Sequence, residues 1–131
     1  MTTSDLPAAG QPDVSNDTEA PFDDVITLST STGDDGVVTV TVVGEVDTFT
    51  APVLRSSLDT QLEQSPSELV IDLSGVQFLG SAGLAVLVET QKSARAKEVS
   101  LRLIATTRAV TRPLEVTGLI DLFTIADSTA R

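Results

Sequence analysis

Two short stretches of this chain place chemically useful side chains at tight spacing. In Gly44-Glu45-Val46-Asp47-Thr48, two carboxylates and a hydroxyl follow a valine-rich run, and Phe49-Thr50-Ala51-Pro52 leads on from them. Asp47 and Thr50 are residue types that accept hydrogen bonds from the free amides at a helix start, so this stretch reads as a capped strand-to-helix connection. Glu45 is the residue this reading explains least well, since the turn does not require an acidic side chain there. In Gly80-Ser81-Ala82-Gly83-Leu84, a single hydroxyl stands between glycines where a helical pattern opens. A serine there has two uses. It can cap the free amides, or, once phosphorylated, hold a dianion where amides and helix dipole favour negative charge. It is not a phosphate-cradling P-loop, because the Gly-Lys-Ser or Gly-Lys-Thr ending is missing.

The rest of the composition narrows the chemistry. The chain has no His and no Cys, which removes imidazole acid-base catalysis, thiolate nucleophiles, disulfides and zinc sites built on soft ligands. Carboxylate pairs or an unaided Ser or Thr are left, and no spacing arranges them into a catalytic set. The sequence therefore assigns no catalytic residue, no metal ligand and no cofactor, and the chain is expected not to be an enzyme.

The elements that must position the two stretches follow from apolar spacing. Residues 1–23, rich in Asp, Thr, Ser, Pro, Ala and Gly, predict a disordered acidic tail, and 24–131 a single domain, in keeping with 131 residues at 40% hydrophobic content. Val25 to Leu28 reads as a first strand, Gly33-Asp34-Asp35-Gly36 as a hairpin turn, and β-branched Val37 to Val43 as a central strand that Gly44 ends. Val53, Leu54, Leu58 and Leu62 predict an amphipathic helix over Thr50 to Gln64, with Pro52 in its first turn. Glu68 to Leu73 reads as a short buried strand closed by a turn at Ser74-Gly75. A second helix is expected from Ser81 to Ala96, including Leu84, Leu87, Val88 and Gln91 before it turns basic, with Lys92 and Arg95 suited to its C-terminal end. A strand over Val99 to Ala105 follows, then a helix from Thr107 to Val116, kinked or restarted at Pro113 and terminated at Gly118, and a last strand at Phe123 to Ile125. Two strands followed by strand-helix alternation predict an α/β domain: a mixed sheet of four to five strands with helices packed mainly on one face.

Charge is uneven. All ten acidic residues up to Asp47 precede the first base, Arg55, while the remainder carries nine acids and eight bases within a total of −11. Lys92, Arg95, Lys97, Arg102, Arg108 and Arg112 cluster in sequence without stacking aromatics, which argues against direct nucleic-acid binding. They read as a solvated helix end and strand edge, with a basic patch for an acidic protein partner as the sharper alternative. No apolar run is long enough to span a bilayer and no secretory pattern opens the chain, so no membrane insertion and a cytoplasmic location are expected.

Together, Gly44-Glu45-Val46-Asp47 after a β-branched strand and Val70-Ile71-Asp72-Leu73-Ser74-Gly75-Val76-Gln77-Phe78-Leu79-Gly80-Ser81-Ala82-Gly83-Leu84 before a helix resemble the STAS domain. That domain is shared by bacterial anti-sigma factor antagonists and the cytoplasmic ends of sulfate transporters. The resemblance covers roughly residues 25–127, and the stand-alone antagonist branch is the closer match. It implies partner switching: the unphosphorylated protein binds an anti-sigma factor with a kinase-like fold, which frees a sigma factor, and phosphorylation by that kinase inactivates the antagonist. The implied contact surface is Glu45, Asp47, Thr48, Gly80, Ser81, Ala82, Gly83 and Leu84, together with the exposed face of the second helix. The family's acceptor motif is Asp-Ser-Ser-Gly-Leu or Asp-Ser-Thr-Gly-Leu, phosphorylated just before the glycine. Here Ala82 stands at the acceptor position and Gly80 at the Asp, which leaves Ser81 as the phosphorylation candidate. Two readings follow: Ser81 has taken over as acceptor, or the antagonist is not switched at this motif. STAS-like domains also serve as soluble subunits of lipid-transport systems and as small-molecule or nucleotide sensors, the alternative function from another class. The oligomeric state is left open.

Overall fold

A computed structural model describes residues 26–126, so the tail assigned to 1–23 lies outside the described residues. The elements run β1 (Ile26–Thr32), β2 (Val37–Val46), α1 (Ala51–Glu63), β3 (Glu68–Leu79), α2 (Ser81–Ala96), β4 (Ser100–Ile104), α3 (Arg108–Val116), a 3₁₀ turn (Leu119–Leu122) and β5 (Thr124–Ala126). They form one five-stranded sheet in the order β1-β2-β3-β4-β5. β1 and β2 are an antiparallel hairpin, closed at Gly33 to Gly36, and every later neighbour is parallel. Each parallel crossover advances the sheet by one strand in the same direction, and the apolar sides of α1 and α2 join the alternate residues of β2, β3 and β4 on one face of it. There α1 and α2 pack side by side, and the mixed α/β architecture expected from the sequence is the one found.

The core is the inward face of that layer. Val38, Val40 and Val42 of β2, Leu69, Ile71 and Leu73 of β3, and Leu101 and Leu103 of β4 meet Leu54, Leu58 and Leu62 of α1 and Leu84 and Leu87 of α2. Period-2 burial along β2 and the four-residue spacing along α1 are what put those residues in contact.

Several expectations need correction. β2 does not end at Gly44: its pairing with β3 shifts register there and resumes to Val46. β3 does not end at Leu73 either but runs on to Leu79, because Ser74-Gly75 is a bulge inside the strand and not a turn. Asp72 accepts the Ser74 amide at 3.0 Å and the Ser74 hydroxyl at 2.6 Å. A Cβ at Gly75 would lie 2.9 Å from Val43 Cγ2, so this glycine allows two strands to approach and does not mark a reversal. Val53, placed in the apolar stripe of α1, is half exposed. The buried face of α2 runs through Gly83, Leu84, Val86, Leu87, Thr90 and Ala94, leaving Val88 and Gln91 at its border. α3 is continuous through Pro113 and does not restart there, while Gly118, with its positive φ, follows the helix end as expected. Its last turn is closed by the Thr117 hydroxyl, donating to the Pro113 carbonyl at 2.7 Å.

Candidate functional site

The first junction, from β2 into α1, is closed by its own side chains. Asp47 Oδ1 accepts the amides of Phe49 at 2.9 Å and Thr50 at 3.0 Å, and the Asp47 amide donates to Thr50 Oγ1 at 2.9 Å. The Thr50 hydroxyl donates to the Glu45 carbonyl at 2.8 Å, and the Ala51 amide to the Asp47 carbonyl at 2.8 Å. Asp47 and Thr50 thus satisfy the turn before the helix and not the helix start itself: α1 has no side-chain cap, and the Val53 and Leu54 amides bond to the Thr50 carbonyl instead, with the Thr50 side chain buried. The Thr50 amide, aided by the Phe49 amide and the Thr50 hydroxyl, holds the Asp47 carboxyl below its ordinary value. Glu45 and Thr48 are exposed on either side of this turn.

The second junction, from β3 into α2, is built differently. The Gly80 amide donates to the Val46 carbonyl at 2.9 Å, which fixes this junction against the first, and Gly80 accepts the Leu84 amide at 3.0 Å. Gly80 is the cap residue of α2, and no side-chain cap closes the helix. Ser81 therefore does not cap. It stands exposed in the first turn, and its hydroxyl makes no hydrogen bond among the described residues. Ala82 is half-buried. Behind it Gly83 is buried so closely that a Cβ would lie 2.6 Å from Val46 Cγ1 and 2.7 Å from Leu79 Cδ1. Leu84 is a core residue.

The two junctions share one surface concavity of about 210 Å³, lined by Asp47, Thr48, Phe78, Gly80, Ser81 and Ala82. Five of the eight residues singled out from the sequence line it. Glu45 stands nearby, in register with Phe78 across β2 and β3, while Gly83 and Leu84 act from below as packing residues. Two aromatic rings escaped the sequence reading: Phe49 and Phe78 are 67% and 51% exposed. Half of the chain's four Phe residues thus sit beside the junctions and not in the core. The only carboxylate lining the concavity is engaged by amides, so this geometry presents the Ser81 hydroxyl without a base to activate it. Among the described residues, no group of three or more carboxylates converges to hold a metal ion, and no helix is long and apolar enough to cross a membrane.

The basic residues differ in their engagement. Arg102 lies within the sheet and pairs with Glu68 at 3.4 Å, and Arg55 of α1 pairs with Glu89 of α2, whereas Lys92 and Arg95 face solvent.

Comparison with known proteins agrees with this geometry. Residues 29–131 match the STAS domain. The anti-sigma-F factor antagonist RsfB of Mycobacterium tuberculosis is 35% identical over 88 residues, covering 67% of this chain and 71% of that protein. The anti-sigma-B factor antagonist of Bacillus subtilis is 36% identical over 89 residues, covering 68% and 81%. Among solved structures, an anti-sigma factor antagonist from Mycobacterium paratuberculosis superposes with a TM-score of 0.76 at 40% identity, covering 84% of this chain and 91% of that one.

Proposed function

The chain belongs to the STAS domain family, and from that premise we propose that it is an anti-sigma factor antagonist, acting in the cytoplasm by binding and not by turnover. Its partner is an anti-sigma factor with a kinase-like fold, and the complex frees a sigma factor. The observation that carries this reading is the hydrogen bond from the Gly80 amide to the Val46 carbonyl. It holds two loops far apart in sequence as one recognition surface, in a chain similar over two thirds of its length to proteins named as such antagonists. Glu45, Asp47, Thr48 and the Gly80 to Leu84 segment form the contact surface, with Gly83 and Leu84 holding its shape.

Ser81 is the acceptor for control. An exposed, unbonded hydroxyl in the first turn of α2 suits attack on the γ-phosphorus of ATP held by the kinase. The Oγ–P bond forms as the bond to the ADP oxygen breaks, and the serine proton passes to a base of the kinase. The product carries about −1.5 to −2 charge beside ionised Asp47 and exposed Glu45. That charge opposes the complex by repulsion and desolvation. The test combines purified protein, anti-sigma factor kinases and ATP, with intact mass and complex formation recorded for the native chain, Ser81→Ala and Ser81→Glu. The expected result is one phosphate on the native chain, none on Ser81→Ala, and loss of the complex in Ser81→Glu. Binding without any phosphate identifies an antagonist that is not switched at this motif, and absence of binding overturns the assignment.

A further inference from the structure

Along α2, Ser81, Ala85, Val88, Lys92 and Arg95 recur at intervals of four, three, four and three, a stripe that stays on one side of the helix. The stripe is one wall of an open groove of about 410 Å³, and the 3₁₀ turn after α3 supplies the other wall through Leu119. A smaller concavity continues it, where Leu122 faces Val88, Lys92 and Arg95. The upper part of the groove is apolar and lined by small residues, so another backbone can approach closely. The lower part carries two cations. Lys92 and Arg95 form no ion pair among the described residues. Glu89, the one carboxylate in the lining, is taken up by the Arg55 guanidinium, which, with a smaller contribution from the Lys92 charge, holds its carboxyl below the ordinary range. In a chain of net charge −11, this groove is thus positive at its lower end, and the first-turn amides of α2 add partial positive charge at its upper end.

Resting on the antagonist reading, we infer that this groove receives an acidic amphipathic helix of the anti-sigma factor. A near-3.5-residue stripe is the pattern that a second helix packs against, and a groove walled by two helical segments offers no free strand edge for strand addition. Charge complementarity selects an acidic occupant. Continuity with the recognition surface follows from Ser81, which lines both this groove and the concavity shared with Asp47. Phosphate on Ser81 therefore enters the head of the groove and repels the same acidic helix, which couples the switch to the longest contact the partner makes.

The test is titration calorimetry of the full chain, the double variant Lys92→Glu/Arg95→Glu and Ala85→Trp against kinase-type anti-sigma factors over a salt series. All three positions are exposed, and thermal unfolding checks that the variants keep the fold. Charge reversal is expected to weaken binding at least tenfold and to flatten its salt dependence, whereas Ala85→Trp weakens binding and leaves the salt dependence in place. If the native chain binds and both variants bind within twofold of it, the groove assignment is overturned and the antagonist reading stands. If the native chain binds no anti-sigma factor, the antagonist reading falls and takes this occupant with it. A native chain that self-associates in sedimentation, with a monomeric double variant, places a second copy in the groove and also overturns the inference.

Discussion

The two strand-to-helix junctions lie side by side at one end of the sheet, are tied by one backbone hydrogen bond, and treat their polar side chains in opposite ways. At β2–α1, Asp47 and Thr50 bond to each other and to the turn they belong to, and Thr50 is buried by it. At β3–α2, the cap position is a glycine and the neighbouring serine is exposed; neither helix has a side-chain cap, but here the hydroxyl also makes no hydrogen bond within the turn among the described residues. The first junction is thus a structural support. The second keeps a hydroxyl and a helix start available to another molecule, and its position is held by packing beneath it. The lesson is that a motif's polar residues divide by what they bond to: those satisfied within the turn set its shape, whether or not they also line the proposed contact surface, and those left open are available to another molecule.

Substitutions test that division most severely at Gly83, where the second junction rests on the core. A methyl group there must displace Val46 and Leu79, whose atoms lie within 3.2 Å of the Cβ position. Gly83→Ala is expected to cost about 1–3 kcal/mol, measured by urea unfolding, the largest single-methyl effect at either junction. A neutral result would mean that packing does not hold the second junction, and the contrast would collapse. Next comes Asp47→Ala, which strands the Phe49 and Thr50 amides of the turn and is expected to destabilise the chain by less than Gly83→Ala in the same assay.

Much of this arrangement is legible in the sequence because its causes are local. The turn chemistry of Asp47 and Thr50 acts within four residues, and the spacing of Leu54, Leu58 and Leu62 names the buried face of α1 directly. What escaped has causes distant in sequence. Ser74-Gly75 has turn composition but sits inside β3, because the missing side chain at Gly75 is needed for Val43 of the neighbouring strand. Ser81 has capping composition, yet the chain enters α2 one residue earlier. Phe78 and the α2 groove become visible only when β2 lies against β3 and Leu119 returns beside α2. The core was readable from periodicity, and the proposed recognition surface required the fold.

A smaller effect separates the junctions by acid. The Asp47 carboxyl is held below the ordinary value of 3.8, first by the Thr50 amide. A depressed carboxylate contributes stability that is present above its unfolded pKa and is lost as pH falls through the folded one. The stability gap between the native chain and Asp47→Ala should therefore be constant at neutral pH and shrink as pH drops below 3.8. Comparing the two proteins cancels the other carboxylates. A gap that does not change with pH would mean that the ionised form of Asp47 is not what holds the turn.

The smallest effect sharpens the comparison most. Ser81→Ala removes a hydroxyl that is exposed and makes no hydrogen bond within the described residues, so its unfolding free energy should stay within about 0.5 kcal/mol of the native value, as for surface sites without special contacts. Asp47→Ala, at the neighbouring junction, serves as the internal standard in the same denaturant series. If Ser81→Ala is as destabilising as Asp47→Ala, Ser81 closes α2 as a cap and both junctions are structural supports of one kind. If its stability is unchanged while the mass gain on incubation with kinase and ATP disappears, the hydroxyl serves the partner and not the fold. The neighbouring glycine cap is then what leaves it free to do so.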